Sequence, residues 1–251
     1  MNPIYDVLGT SGSGIASPFL CTREVLVEAT IRLFLKKNAI VIRAPPDTGK
    51  STLLKLIGSK IQRSIPILNP IHIKWPDVTV QSRVTFKDNG LQKWKMLLEF
   101  CKQEQVEDDQ AEQSRSVFLI DDAHNSFGDK DMWETLFNRT NIGGGLGFFV
   151  LACDYGPADG YYRLEHDPPH AYVNPERRIE LPELLLSPVE AKQVIDKWAR
   201  SYRSPIRVNP ESIETLISQT GGHVGMLTKV LKYIVRYGLD CVSTSSSATQ
   251  D

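Results

Sequence analysis

The hydrophobic positions in roughly the first three quarters of the chain fall into short β-branched or aromatic runs separated by longer amphipathic stretches. Such runs are typical of strands buried on both faces of a parallel sheet, because neither face then needs polar side chains. The predicted strands are residues 39–43, 71–74, 117–120, 147–152 and 178–181. Apolar residues at helical spacing predict helices over 23–37, 53–61, 91–101 and 131–137. This alternation predicts an α/β fold with a parallel central sheet and helices on both faces.

The chain beyond the fifth run contains helical patterns only. Residues 187–190 read Ser-Pro-Val-Glu, which predicts a capping box at a helix start. Asn-Pro-Glu at 209–211 repeats the start signal, Gly-Gly at 221–222 ends that helix, and a third apolar helix follows. We therefore expect a small helical lid over residues 187–242, after an α/β core over residues 19–186.

The two ends of the chain and one internal stretch lack this patterning. Residues 1–18 are rich in Gly and Ser and predict a flexible arm, and residues 243–251 predict a disordered tail. The polar, acidic stretch 103–115 predicts a solvated insertion or a helix extension.

Composition and charge narrow the class of protein. The 29 basic and 30 acidic side chains nearly cancel, and a hydrophobic content of 41% is an ordinary globular value. Balanced charge argues against electrostatic wrapping of nucleic acid, although it does not exclude a local basic patch. No run approaches the ~18 apolar residues of a membrane helix, and no secretory signal begins the chain. The cysteines stand singly, as reduced thiols do, at Cys21, Cys101, Cys153 and Cys241. These features predict an intracellular protein, cytoplasmic or nuclear, without a membrane partner.

The strongest chemical signal follows the first predicted strand and opens the next helix: Ala44-Pro45-Pro46-Asp47-Thr48-Gly49-Lys50-Ser51. It fits the phosphate-loop pattern G-x-x-x-x-G-K-[ST], with Ala44 in place of the first glycine. Backbone N–H groups of such a loop, and the helix N-terminus after it, attract phosphate oxygens. Gly49 is expected to let the loop backbone approach the phosphates closely. Lys50 is expected to neutralise the β- and γ-phosphates, and Ser51 to bind Mg²⁺.

Three further residues refine this nucleotide-binding loop. Thr52 is expected to lie towards the α-phosphate. Ala44 fits the first position only if its φ is negative, because alanine resists the left-handed region. Pro45 and Pro46 stiffen the loop and would preorganise it for phosphate.

A pair of carboxylates supplies the second half of the site. Asp121 and Asp122 follow the apolar run 117–120, about 70 residues after the phosphate loop. Ligands collect at the carboxyl ends of parallel strands, so Asp121 is expected to hold Mg²⁺ beside the loop. Asp122 is expected to act as the base or to orient the attacking water. Aspartate is one methylene shorter than the glutamate that many ATPases carry here, so slow turnover stays open.

With both motifs placed, the chain resembles the additional-strand P-loop ATPases, in the STAND and AAA+-like branch. The segments that carry the likeness are APPDTGKST, VFLIDDAH and TGGHVGMLTKVLKYI. Within that branch the chain looks most like the NTPase domain of Crinkler-type effectors and related retrotransposon hot spot proteins, over about residues 19–238. The resemblance implies a three-layer P-loop NTPase core with a helical lid, and an ATPase that regulates or powers an effector function.

The same resemblance implies roles for residues outside the two motifs. A polar sensor residue is expected after the strand 147–152, where Asp154 stands, with Cys153 as the less favoured neighbour. The element Gly222-His223-Val224-Gly225 is similar to a family element near the nucleotide, which leaves His223 as the contact because Val224 replaces the usual proline. Alternatively, the glycines simply cap a helix. Candidates for an arginine finger are Arg139, Arg163, Arg177 and Arg178, although a surface salt bridge is the favoured role for any one of them.

Other conspicuous side chains have simpler interpretations. His166 and His170 flank two prolines, which favours a loop over a metal site. Core packing is expected for the tryptophans, which are Trp75, Trp94, Trp133 and Trp198. The sequence contains no N-K-x-D motif for reading the guanine base, so GTP is not supported. The adenine of ATP is expected to bind near residues 19–23.

These observations support three hypotheses. The leading one is Mg²⁺-dependent ATP binding and hydrolysis, with ATP, ADP and a protein partner or a second copy of the chain as partners. The second is a nucleotide-gated interaction module that does not hydrolyse ATP. The third is a small-molecule kinase, which the paired acids and the helical lid fit less well.

Overall fold

A computed structural model describes residues 21–75, 115–126, 133, 137, 147–155, 173–201 and 208–237. The predicted N-terminal arm, C-terminal tail and helix 91–101 lie outside these residues. The chain forms two compact units. Among the described residues, the first unit comprises 24–46 and everything from 50 to 183, and the second comprises 21–23, 47–49 and everything from 184 onward.

The first unit contains a five-stranded parallel sheet. Its strands are β1 Ala39–Arg43, β2 Leu68–Lys74, β3 Arg115–Asp121, β4 Phe148–Cys153 and β5 Arg178–Ile179. The strand order is β2-β3-β4-β1-β5, so β4 lies between the strand that precedes the phosphate loop and the strand that ends in the carboxylates. The parallel α/β prediction is confirmed.

The register brings the carboxyl ends of the three central strands to one edge of the sheet. Arg43, the last residue of β1, pairs with Cys153, the last residue of β4. Ile120 of β3 pairs with Leu151 of β4, so Asp121 lies one step further along the same edge. Any side chain that follows these strands therefore faces the same region, as sheets of this kind require.

Both faces of the sheet are covered. On one face, α1 (Glu24–Lys37) contacts β1 and β4, and α2 (Lys50–Ser64) contacts β2, β3 and β4. On the opposite face, the sheet packs against the helical residues Trp133 and Phe137, whose rings stack with centroids 5.8 Å apart. The helices predicted on both faces are confirmed at these residues. The expected core packing is also confirmed for the described tryptophans, Trp75, Trp133 and Trp198.

Four of the five predicted strands have different bounds in the structure. Strands β3 and β4 differ from the prediction by one or two residues at each end. The fifth ends at Ile179 instead of residue 181, because Leu181 already begins the short helix α3 (Leu181–Leu184). Pro182 suits a first helical turn and has no N–H to donate to a sheet. Strand β2 is longer than predicted and begins at Leu68. Strand β2 tolerates Pro70 because it is an edge strand of the described sheet.

The described residues of the second unit form three helices, α4 (Pro188–Arg200), α5 (Pro210–Thr220) and α6 (Val224–Tyr237). The predicted capping box is present at α4: the Glu190 N–H donates to Ser187 Oγ at 3.3 Å, and the Ser187 N–H donates to Glu190 Oε2 at 2.8 Å. At α5, Asn209 accepts from the Glu211 N–H at 3.1 Å. The core of this unit is Cys21, Leu186, Ala191, Val194, Ile195, Trp198, Ala199, Leu227 and Leu231. No described helix is long and apolar enough to cross a bilayer.

Two adjacent glycines end α5, and only one of them is crowded. Gly221 has a left-handed φ of 55° and no atom within 4 Å of the place where a Cβ would lie. Gly222 has a φ of 76°, and a Cβ there would lie 2.4 Å from the backbone oxygen of Leu186. Leu186 is fixed because its N–H donates to the Gly222 oxygen at 2.8 Å. The chain therefore needs glycine at 222 for space as well as for conformation.

Replacing these glycines separately tests this part of the second unit. Gly222→Ala is expected to lower the free energy of unfolding by about 3 kcal/mol, since backbone strain and atomic overlap add. Gly221→Ala has the strain alone and is expected to cost about 1 kcal/mol. Urea unfolding of both variants, followed by circular dichroism, measures the difference. Equal losses would contradict the crowding at Gly222.

Candidate functional site

The phosphate loop runs from the end of β1 to Lys50, the first residue of α2. Ala44 is buried, its φ is not positive, and its N–H donates to the Cys153 oxygen at 3.2 Å. The first position of the loop therefore accepts alanine. The left-handed residues are instead Asp47, with φ 62°, and Gly49, with φ 91°. The sequence analysis placed Asp47 in the loop but did not predict its left-handed backbone, although aspartate tolerates this conformation better than most residues.

Lys50 is buried and makes three close contacts within the first unit. Its Nζ lies 2.8 Å from the Ala44 oxygen, 2.7 Å from the Pro45 oxygen and 2.5 Å from Asp154 Oδ1. The first two contacts tie the side chain to its own loop. The third joins the loop to the residue that follows β4, so the structure brings Lys50 and Asp154 together.

The predicted carboxylate pair lies at the end of β3. The Asp122 N–H donates to Asp121 Oδ1 at 3.1 Å, which fixes one oxygen of that carboxylate. Asp122 has a φ of 54° and leaves the line of the strand, and its Oδ2 lies 3.5 Å from Nζ of the exposed Lys74. An ion pair this exposed is weak, so it holds Asp122 only loosely. Both carboxylates are partly exposed at the edge where the phosphate loop begins.

Ser51 and Thr52 occupy the first turn of α2, directly after Lys50, and both side chains are exposed. Their backbone N–H groups belong to the helix N-terminus, where the helix dipole favours an anion. The structure therefore presents the predicted metal-binding hydroxyl and the predicted α-phosphate contact on the same turn.

The two residues proposed for the sensor position differ in their surroundings. Cys153 is fully buried, and burial raises the pKa of its thiol well above the usual range, with the Asp154 charge as a second cause. Cys153 is therefore a neutral thiol. Asp154 is partly exposed and reaches Lys50. Of the two, Asp154 has the geometry of a functional side chain, and its role stays a prediction.

The described candidates for an arginine finger are held within the first unit. Arg178 Nε donates to the Val173 oxygen at 2.6 Å, and Arg177 Nη1 donates to the Phe137 oxygen at 3.4 Å. Arg139 and Arg163 lie outside the described residues, as do His166, His170 and Trp94. At the end of β1, the Arg43 guanidinium lies 4.5 Å from the centroid of the Tyr155 ring.

The second unit includes residues 47–49 of the loop, and α6 begins against them. A Cβ on Gly225 would lie 2.4 Å from the Asp47 oxygen, so this glycine permits the close approach. One turn later, Lys229 Nζ lies 2.7 Å from Asp47 Oδ2. The sequence analysis placed Gly225 in an element similar to one near the nucleotide but predicted no contact for it, and it did not single out Lys229. A small residue followed four positions later by lysine on one helix face was a visible signal.

His223, predicted as a nucleotide contact, caps α6. Its Nδ1 accepts from the Met226 N–H at 3.3 Å, which satisfies a backbone donor of the first helical turn. Contact with a nucleotide stays a prediction for this residue.

The predicted adenine side falls only partly within the described residues, since 19 and 20 lie outside them. Arg23 has a φ of 47°, and its guanidinium donates to the Leu184 oxygen at 2.7 Å and the Leu185 oxygen at 2.9 Å. It also lies 3.4 Å from Glu190. All of these contacts lie within the second unit.

No protein-family model matches the chain, and no curated protein matches it in sequence. Among solved structures, the chain is similar to domain III of the replication initiation protein DnaA from Thermotoga maritima, with 16% identity, a TM-score of 0.48, and coverage of 87% of this chain and 86% of that chain. DnaA bound to AMPPCP and single-stranded DNA has 19% identity, a TM-score of 0.51, and coverage of 88% of this chain and 63% of that chain.

A Walker-type ATPase of Pyrococcus abyssi has 12% identity and a TM-score of 0.50, and the likeness covers 86% of this chain and 68% of that chain. The chain spans less than two thirds of the DnaA chain in the nucleotide complex. At these identities the similarity concerns the fold. The five-stranded parallel sheet with its flanking helices has the P-loop ATPase fold of these structures, as the sequence resemblance implied.

Proposed function

We propose that the chain binds Mg²⁺-ATP at the carboxyl edge of β1, β3 and β4 and hydrolyses it. The observation that carries the proposal is that Lys50 and Asp121 lie at that edge: Lys50 opens the helix after β1 and reaches the end of β4, and Asp121 ends β3. The DnaA structure of similar fold contains AMPPCP, and the protein from Pyrococcus abyssi is described as an ATPase, which supports this proposal.

The phosphate loop and the start of α2 are the proposed triphosphate site. Gly49 and Asp47 have positive φ values, a conformation that allows neighbouring loop N–H groups to converge on an anion. The N-terminus of α2 adds the favourable end of a helix dipole. Lys50 supplies the only full positive charge in the first turn of that helix. Together these groups would bind the β- and γ-phosphates.

Ser51 and Asp121 are the residues that would hold Mg²⁺. A hydroxyl and a carboxylate are suitable ligands for this hard cation when phosphate oxygens complete its shell. Both side chains are accessible, and one oxygen of Asp121 is already oriented by the Asp122 N–H. When bound, Mg²⁺ would neutralise charge on the phosphate oxygens.

Asp122 is the proposed base. Its carboxylate is partly exposed, and its only ion pair among the described residues is the long contact with Lys74. It is thus accessible to a water molecule and could accept its proton as the water attacks the γ-phosphate. Because the side chain is short and loosely held, we expect slow turnover.

The resemblance to Crinkler-type NTPase domains supports a regulatory or driving role for this ATPase in an effector or signalling protein. We infer an intracellular site of action, cytoplasmic or nuclear, where ATP is abundant and where the free thiols of Cys21 and Cys153 would persist. The near-zero net charge does not favour a nucleic acid partner.

Lys50→Ala tests the phosphate site. The variant is expected to bind Mg²⁺-ATP at least about tenfold more weakly, because a charge-assisted contact is worth about 1.5–3 kcal/mol, and its phosphate release should fall to background. Calorimetry and a phosphate-release assay measure the two effects. Lys55→Ala, on the exposed side of the same helix, is the matched control and should behave as the wild type. Equal release by wild type and Lys50→Ala would refute hydrolysis at this site.

Asp122→Asn separates binding from turnover. The amide keeps the shape but cannot accept a proton, so turnover is expected to fall about 100-fold while affinity for Mg²⁺-ATP stays near that of the wild type. Asp121→Asn should instead reduce the gain in affinity that Mg²⁺ provides. Single-turnover phosphate release measures the effect of Asp122→Asn on turnover. ATP titrations with and without Mg²⁺ measure the effect of Asp121→Asn on affinity. Unchanged turnover in Asp122→Asn would exclude this residue as the base.

The same assays distinguish the other two hypotheses. A wild type that binds ATP but releases no phosphate would be the nucleotide-gated module. Phosphate transferred to an added acceptor instead of water would indicate a kinase.

A further inference from the structure

The contacts of Lys50 leave no spare donor for a nucleotide. A lysine ammonium has three N–H groups. Among the described residues, three acceptors surround Lys50 Nζ within 2.8 Å: the Ala44 oxygen, the Pro45 oxygen and Asp154 Oδ1. A phosphate oxygen can therefore bind this ammonium only after one of these contacts breaks.

Of these three acceptors, the Asp154 carboxylate is the one that a phosphate oxygen can displace from Lys50. The two carbonyls belong to the backbone of the loop, and the Ala44 N–H is itself bonded to the Cys153 oxygen. Asp154 is a short side chain just beyond the end of β4, and 25% of it is exposed. Rotation about its χ1 would carry the carboxylate away from Lys50 without moving the sheet.

The charge of Asp154 also matters to a triphosphate. Its carboxylate lies 2.5 Å from the ammonium, so it occupies the region where a phosphate oxygen would lie. A nucleotide must break this partly buried ion pair and would meet the repulsion of a like charge. Both effects oppose binding, and both vanish if the charge of residue 154 is removed.

We propose that Asp154 is a built-in competitor of the nucleotide for Lys50. Without bound nucleotide, the Asp154 carboxylate stabilises the phosphate loop through its ion pair with Lys50. ATP must displace this carboxylate from Lys50, so Asp154 lowers the affinity of the chain for the nucleotide. This inference rests on the proposed function. It differs from a role as a neutral polar sensor, because such a side chain would assist phosphate binding, whereas Asp154 opposes it.

The proposal requires opposite changes in stability and affinity. Asp154→Asn removes the charge and keeps the size, so the empty protein should melt at a lower temperature while Mg²⁺-ATP binds at least about tenfold more tightly. Asp154→Glu keeps the charge and should leave the affinity near that of the wild type. Thermal unfolding without nucleotide and calorimetric titration with Mg²⁺-ATP measure both quantities.

Glu176→Gln is the matched control. It breaks another lysine–carboxylate pair of 2.5 Å in the first unit, between Lys37 and the exposed Glu176. Here the lysine side-chain hydrogen bond lowers the pKa of Glu176. Because this pair lies away from the phosphate loop, the control should not change the affinity for Mg²⁺-ATP.

The measured affinities test the nucleotide site and the competition by Asp154 separately. If the wild type binds Mg²⁺-ATP and Asp154→Asn binds it no more tightly, the competitor is refuted and the nucleotide site stands. If neither binds more tightly than Lys50→Ala, the nucleotide site itself is refuted. Binding by Asp154→Asn alone supports the competitor. Should Asp154→Asn not fold, Asp154→Ser removes the same charge and is expected to show the same gain in affinity.

Discussion

The parallel register of β1, β4 and β3 is the constraint on which the rest of the site depends. Because Arg43 pairs with Cys153 and Ile120 with Leu151, three strands end at one edge of the sheet. That edge brings Asp154 to Lys50 and leaves Asp121 one strand away. A slip of one residue in β4 would turn every side chain of that strand to the opposite face and remove the ion pair.

Strands β1, β3 and β4 were visible in the sequence because they are buried on both faces and therefore carry continuous apolar runs. The order of the strands in the sheet could not be predicted from the sequence, because pairing between distant segments does not affect local periodicity. Two of the misjudged bounds have local causes. Leu181 and Pro182 form the first turn of a helix where hydrophobicity alone suggested a strand, and Pro70 is tolerated because β2 is an edge strand of the described sheet. Helix starts were predictable because Ser187 and Asn209 cap them through their own side chains.

The chemistry of the site was predictable in kind, since few residue types bind phosphate and Mg²⁺. Its internal contacts were not. The left-handed backbone of Asp47 depends on how the loop folds, and the approach of Gly225 to that residue depends on tertiary packing. Likewise, the sequence suggested Asp154 as a polar sensor but did not show that its carboxylate pairs directly with Lys50. A negative charge at this position reverses the expected sign of its effect on nucleotide binding.

The central claim is that the triphosphate binds at this edge and takes the place of Asp154 on Lys50. A crystal structure of the wild-type chain with Mg²⁺ and a non-hydrolysable ATP analogue tests it most directly. We expect phosphate oxygens within hydrogen-bond distance of Lys50 Nζ, with the Asp154 carboxylate rotated away from it. A nucleotide bound while the Lys50–Asp154 pair stays intact, or bound elsewhere in the chain, would contradict the claim.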